Sequence, residues 1–148
     1  MKEFNNHWFV IGREHHQIVM LTLALDRIID LKVNLKTDYV KYGFNPDQYY
    51  KNTYGVTVLD DKSIIDIAVK IDKSNAPYVL TKPFHHSQQL IKRNKDGSVL
   101  VSLRVHHNFE IERLLLGFAD SIQIIKPRKL RNRMKKKFQR ALENYNEN

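Results

Sequence analysis

Apolar and polar residues alternate in two clear stretches of the second half of the chain. From Ser63 to Asp72, Ile65, Ile67, Val69 and Ile71 fall on one side, with Asp66 and Lys70 on the other. That period of two predicts a strand with one buried face. Val99, Val101, Leu103 and Val105 repeat the pattern, preceded by a strand over Gln88 to Arg93 and the turn Asn94-Lys95-Asp96-Gly97. Asp-Gly is a strong hairpin signal. Elsewhere the period changes to that of a helix. Asn108 caps a segment with Ile111, Leu114, Leu115 and Phe118 on one stripe, and Pro127 opens a helix to about Tyr145 with Leu130, Met134, Phe138 and Leu142 in register. Ser74 reads as the N-cap of a short helix through Tyr78 and Leu80 that Pro83 stops. Ile122 and Ile124 alternate within a last strand over Ser121 to Lys126.

The resulting order, βαββαβ plus a closing helix, is the ferredoxin-like arrangement, so the fold class is α+β. The first third is less regular. Trp8 to Arg13 and Ile18 to Leu25 read as two strands around the polar turn Arg13-Glu14-His15-His16-Gln17. Two strands alone are marginal in water, so missing sequence, a partner chain or the C-terminal half must complete this sheet. Leu25 to Val33 reads as a turn continuing into another short strand. Asn34 to Asn45, with Tyr39, Tyr42 and Phe44, reads as a linker. Asn45 and Pro46 open a helix through Tyr49 and Tyr50 that ends near Gly55.

Composition narrows the classes. With 148 residues, 42% of them hydrophobic, the chain can bury a core in one ordinary or two small domains. It has no cysteine, hence no disulfide, thiolate metal site or cysteine nucleophile. No apolar run reaches the length of a membrane span, and Met1-Lys2-Glu3-Phe4 has no apolar signal region. These features fit a cytoplasmic protein. The net charge of +9 is concentrated at one end, because residues 126–148 hold 9 of the 25 Lys/Arg and only 2 of the 16 Asp/Glu. Such a block attracts polyanions.

Two groups of residues carry a family resemblance. Trp8-Phe9-Val10 stands where WYL domains have their Trp-Tyr-Leu triplet, and Ala24-Leu25-Asp26-Arg27-Ile28 is similar to their Leu-Asp-Arg-Ile stretch. Leu21 stands where that family usually has an arginine. Phe44-Asn45-Pro46-Asp47, Tyr49-Tyr50, Tyr54-Gly55-Val56 and Pro77-Tyr78-Val79 resemble the C-terminal extension of WYL regulators, called WCX. So does Pro83-Phe84-His85-His86-Ser87-Gln88, where the extension often reads His-Pro-Ser-Gln. The resemblance implies a partial Sm/SH3-like β-barrel over 1–43 and a ferredoxin-like extension over 44–148. It implies the C-terminal part of a longer bacterial transcriptional regulator, with the winged helix-turn-helix and first barrel strands absent. The barrel is then open or completed by a partner.

Candidate ligand contacts are Trp8, Phe9, Arg13 and Arg27. Trp8 stacks on a base, or is an ordinary barrel core residue, the commoner fate of such an aromatic. Arg27 suits a phosphate, or pairs with Asp26 or Asp30. Arg104, Arg131 and Lys135 are candidate nucleic-acid contacts. A solvated outer face of an amphipathic helix accounts for the last helix's existence but not for its single sign of charge. The histidine pairs His15-His16, His85-His86 and His106-His107 are poor chelates, because neighbours on a strand point to opposite faces. No nucleophile elbow, phosphate-binding glycine loop or H-E-x-x-H motif is present.

The expectation is therefore a non-enzymatic sensing and oligomerisation region without a cofactor. It forms a homodimer and binds single-stranded DNA or a nucleotide-like effector, and it meets promoter DNA only through the absent N-terminal domain. The alternatives are a dimerisation module without ligand and a small metal-dependent enzyme.

Overall fold

A computed structural model describes residues 1–14, 19–36, 38, 40 and 43–146. Within these the fold is mixed α+β, with two antiparallel sheets and four α-helices. The first sheet holds β1 (Lys2–Phe4), β2 (His7–Gly12) and β3 (Leu21–Ala24) in that order. The second holds β4 (Ile64–Ile71), β5 (Gln89–Arg93), β6 (Val99–His106) and β7 (Ile122–Lys126), in the order β5-β6-β4-β7. The helices are α1 (Pro46–Tyr49), α2 (Ala76–Thr81), α3 (Phe109–Gly117) and α4 (Arg128–Glu143).

The alternating pattern explains the second sheet. Ile67, Val69 and Ile71 of β4 and Val99, Val101, Leu103 and Val105 of β6 are buried. They form one core with Val79 of α2, Ile111 and Leu115 of α3, and Leu130 and Met134 of α4. The other face is polar, and there Asp66 and Arg104 stand opposite each other across β4 and β6. The β5–β6 turn uses Gly97 at φ +84°, which only glycine adopts cheaply, while Asp96 accepts a bond from the Ser98 N–H at 2.9 Å.

The first sheet differs from expectation in three ways. It gains β1, joined to β2 by Asn5 and Asn6 at φ 51° and 63°, a two-residue turn of the twist that suits hairpins. The next strand is confined to Leu21–Ala24, while Ile18, His15 and His16 lie outside the described residues. The short strand expected within Leu25 to Val33 is absent. Leu25–Arg27 forms a 3₁₀ turn, and Ile28 to Lys36 has no strand pairing. The three strands form an open sheet; no closed barrel exists among the described residues. Tyr39 and Tyr42 of the linker reading also lie outside them.

Two helix boundaries shift. Asn45 caps α1 as expected, its side chain accepting from the Gln48 N–H at 3.0 Å, but the helix ends at Tyr49 rather than near Gly55. The N-cap of α2 is Asn75 instead of Ser74. Its own side chain makes no cap bond, and the Asp72 carboxylate instead accepts from the N-cap's own N–H at 2.8 Å, fixing the turn before the helix. No helix is long and apolar enough to cross a membrane among the described residues.

Candidate functional site

The N-terminus of α3 organises the site. Asn108 accepts from the Ile111 N–H at 3.0 Å, capping the helix, and its amide donates to the carbonyls of Tyr54 and Thr57, both at 2.9 Å. Glu110, only 4% exposed, reaches the same loop. Its Oε1 accepts from the N–H groups of Val56 and Thr57 at 3.2 and 3.1 Å, and from the Thr57 hydroxyl at 2.8 Å. Negative charge here also suits the positive end of the helix. Gly55, at φ +91°, lies against Glu110, and a Cβ there would meet the Glu110 Cδ at 2.8 Å. The loop over 54–57 is thus fastened to α3 by polar side chains as much as by apolar packing.

The first sheet faces this loop. Phe4 meets Tyr54 edge to face with centroids 5.6 Å apart, and the Lys2 ammonium sits 3.8 Å from the centroid of the Tyr50 ring. Between sheet, loop and α3 runs an open cleft of about 1050 Å³. Phe9 and Arg27 line it from the N-terminal side; Tyr54, Phe109, Glu110 and Arg113 line it from the other. The Arg113 guanidinium lies 5.9 Å from the centroid of the Phe109 ring. His7 and Asp26, also in the lining, pair with each other at 3.4 Å. The cleft therefore combines aromatic rings with two guanidinium groups, the chemistry that accommodates stacked bases and phosphates. It also carries the carboxylates of Asp26 and Glu110.

The expected ligand residues divide. Phe9 and Arg27 come together in the cleft. Asp26 pairs with His7, and Asp30 pairs with Lys32 at 3.0 Å, so neither is partnered with Arg27. Trp8 is neither in the cleft nor in the core. It is 51% exposed on the opposite face of β2 from Phe9, because adjacent strand residues point to opposite sides. The core reading of Trp8 is thereby corrected. Arg13, just beyond β2, is half-buried and does not line the cleft. Arg104 pairs with Asp66 at 3.0 Å on the helix-free face of the second sheet. Arg131 and Lys135 flank a separate groove beside Phe138 and Leu142. These three do not form one surface.

A family model, the WCX domain, matches residues 63–142. The chain belongs to the WCX domain family. That domain is associated with WYL-type regulators. A search of curated proteins returns no match.

Within the WCX domain, the segment similar to the family's His-Pro-Ser-Gln stretch is a structural brace. Gln88 donates to the Val79 carbonyl of α2 at 2.9 Å and accepts from the Phe84 N–H at 3.0 Å. The Ser87 hydroxyl accepts from the Arg104 N–H at 3.0 Å, holding the segment against β6. His85 Nδ1 accepts from the Ser87 N–H at 3.2 Å. Burial, with His86 as a lesser cause, lowers the His85 pKa to about 4, so the imidazole is neutral at pH 7. The His85 and His86 rings lie 4.0 Å apart. Among the described residues, no group of three or more histidines or carboxylates could hold a metal.

The WCX domain also holds a buried carboxylate on the far side of α3. Glu112, 3% exposed, pairs with His107 Nε2 and Arg133 Nε at 2.6 Å and with Lys137 Nζ at 2.5 Å. Burial alone raises its pKa, but bonds from Lys137, Arg133 and His107 outweigh it and hold the carboxyl below its ordinary range. Sequence reasoning used α3 only for its apolar stripe and so missed Phe109, Arg113 and Glu110. Their spacing of three and four was the available signal.

Proposed function

We propose that this chain is the effector-sensing and oligomerisation region of a bacterial WYL-type transcriptional regulator. Its effector is a nucleic acid or nucleotide-like ligand bound in the cleft between the first sheet and α3. The observation that carries this reading is the convergence of Phe9 and Arg27 with Arg113, Tyr54 and Phe109 around one opening. Aromatic faces supply stacking and the two guanidinium groups supply anion contacts. Residues 63–142 take the ferredoxin-like arrangement in this reading, supported by the antiparallel order β5-β6-β4-β7 and the βαββαβ sequence of elements. The segment before it is the WYL part, and the regulator acts in the cytoplasm without catalysing a reaction. Ligand binding alters regulation only by favouring one conformation over another.

A fluorescence-polarisation titration with labelled single-stranded DNA tests the cleft. Saturable binding weakened about tenfold by Arg27→Ala and by Arg113→Ala, and unchanged by Trp8→Ala, supports it, since a charged hydrogen bond contributes roughly 1.5–3 kcal/mol. Binding that ignores both arginines removes it.

A second reading, association without ligand, is favoured by one observation. Ile29, Leu31, Val33 and Leu35 alternate with polar residues and are all largely exposed, as are Trp8 and Leu23 on the outer face of the first sheet. Such a surface suits a second copy of the chain, and in this reading a homodimer forms whether or not effector is present.

A further inference from the structure

Helix α4 has a charge arrangement that its own folding does not explain. Eight of its sixteen residues are Lys or Arg, and the one acid, Glu143, is its last residue. Its first turn has no acidic residue but carries Arg128, Lys129 and Arg131, cations at the positive end of the helix dipole. Lys129 and Arg133, Arg131 and Lys135, and Lys136 and Arg140 are like-charge pairs four residues apart, which weaken a helix. A solvated outer face interleaves both signs; this one does not. Local rules broken in this way mark function more often than architecture.

The structure separates cations used internally from those that are not. Arg133 and Lys137 converge on the buried Glu112. Lys129, Lys136 and Arg140 lie exposed at spacings of seven and four, one ridge about 16 Å long at 1.5 Å per residue. Among the described residues none of these three has an ion pair. We propose that this ridge is a docking surface for the phosphate backbone of duplex nucleic acid.

Three features select that class of partner. Binding of a single strand relies on aromatic side chains interleaved with cations, and the ridge has none; Phe138, the one aromatic of α4, lies toward the groove over β7. Insertion into an acidic membrane needs an apolar face alongside the cations, whereas Leu130 and Met134 are buried in the protein's own core and the exposed Phe138 and Leu142 lie beside the groove over β7, off the ridge. A regular row of cations on a rigid helix matches instead a duplex, which presents a charge about every 1.7 Å of axis. The ridge stands apart from the effector cleft. Phe109, Glu110 and Arg113 face the cleft from α3, while Glu112 turns toward α4. The ridge therefore makes a second nucleic-acid contact, separate from the cleft and blind to sequence.

The test uses the whole chain and a labelled duplex of mixed sequence, with fluorescence anisotropy read over a range of salt. The parent binds the duplex, and its affinity falls steeply with salt. The triple variant Lys129→Gln, Lys136→Gln, Arg140→Gln binds at least about tenfold more weakly at low salt, with a log–log salt slope shallower by about 3. Arg104→Gln, on the far face of the second sheet, leaves both quantities unchanged. An unfolding transition matching the parent's shows that the variant is folded; if it is shifted, the three single variants are read instead, each lowering the slope by about 1. The proposal is overturned if the parent ignores the duplex, if the variant keeps the parent's affinity and slope, or if single strands or anionic vesicles compete better than duplex.

Discussion

Gly55 shows how a single residue can fix the cleft wall. Its positive φ and the Glu110 side chain against it leave no room for a Cβ. Gly55→Ala is expected to destabilise the chain by about 1–3 kcal/mol in denaturant unfolding, from backbone strain and displacement of Glu110. A second residue-scale consequence concerns pH. His85 has an ordinary pKa of 6.5, lowered in the fold to about 4, and His106 is lowered in the same direction by burial. The unfolded chain takes up a proton near pH 6.5 that folded His85 refuses until about pH 4. Stability from His85 is therefore full above pH 6.5 and falls as pH drops from 6.5 toward 4. The thermal midpoint should decline across that window, and less steeply in His85→Gln. Caps at Asn45 and Asn108 were legible because each bonds its own helix. Ser74 misled because its hydroxyl donates back to the Asp72 carboxylate instead of accepting from α2.

Among elements, the second sheet and its helices were readable because each strand buries one face and each helix one stripe, so periodicity alone reports them. β1 was not, since three residues carry too little alternation; its signal was the Asn5-Asn6 turn instead. The segment from Ile29 to Leu35 shows the opposite failure. It has the alternation of a strand but finds no partner strand among the described residues, and a pattern cannot supply one. The α3–α4 junction was also hidden, because its key link, Glu112 to Arg133 and Lys137, spans more than twenty residues of sequence. Glu112→Ala removes the acceptor that holds both cations and should cost about 1–3 kcal/mol. Amide hydrogen exchange should show faster opening in α4 than in β4 or β6. Equal protection in the variant and the parent would contradict the link.

Across the whole molecule, the two sheets meet through Phe4 on Tyr54, Lys2 on Tyr50, and the polar clamp at 54–57. Fold class was legible in the sequence; the cleft was not, because the part of its lining that ends at Ile28 lies more than eighty positions from the part that α3 supplies. Exposed Leu31 and Val33 bear on association. If that segment mediates dimer formation, Leu31→Lys with Val33→Lys should sediment as monomer where the parent sediments as dimer. Unchanged sedimentation would remove the segment from the interface. The central claim is that an effector enters the cleft between the first sheet and α3. The most direct measurement is an amide NMR titration of the chain with a short single-stranded oligonucleotide. The account predicts saturable shifts clustered at Phe9, Arg27, Tyr54 and Arg113. Shifts confined to α4, or none at all, would contradict it.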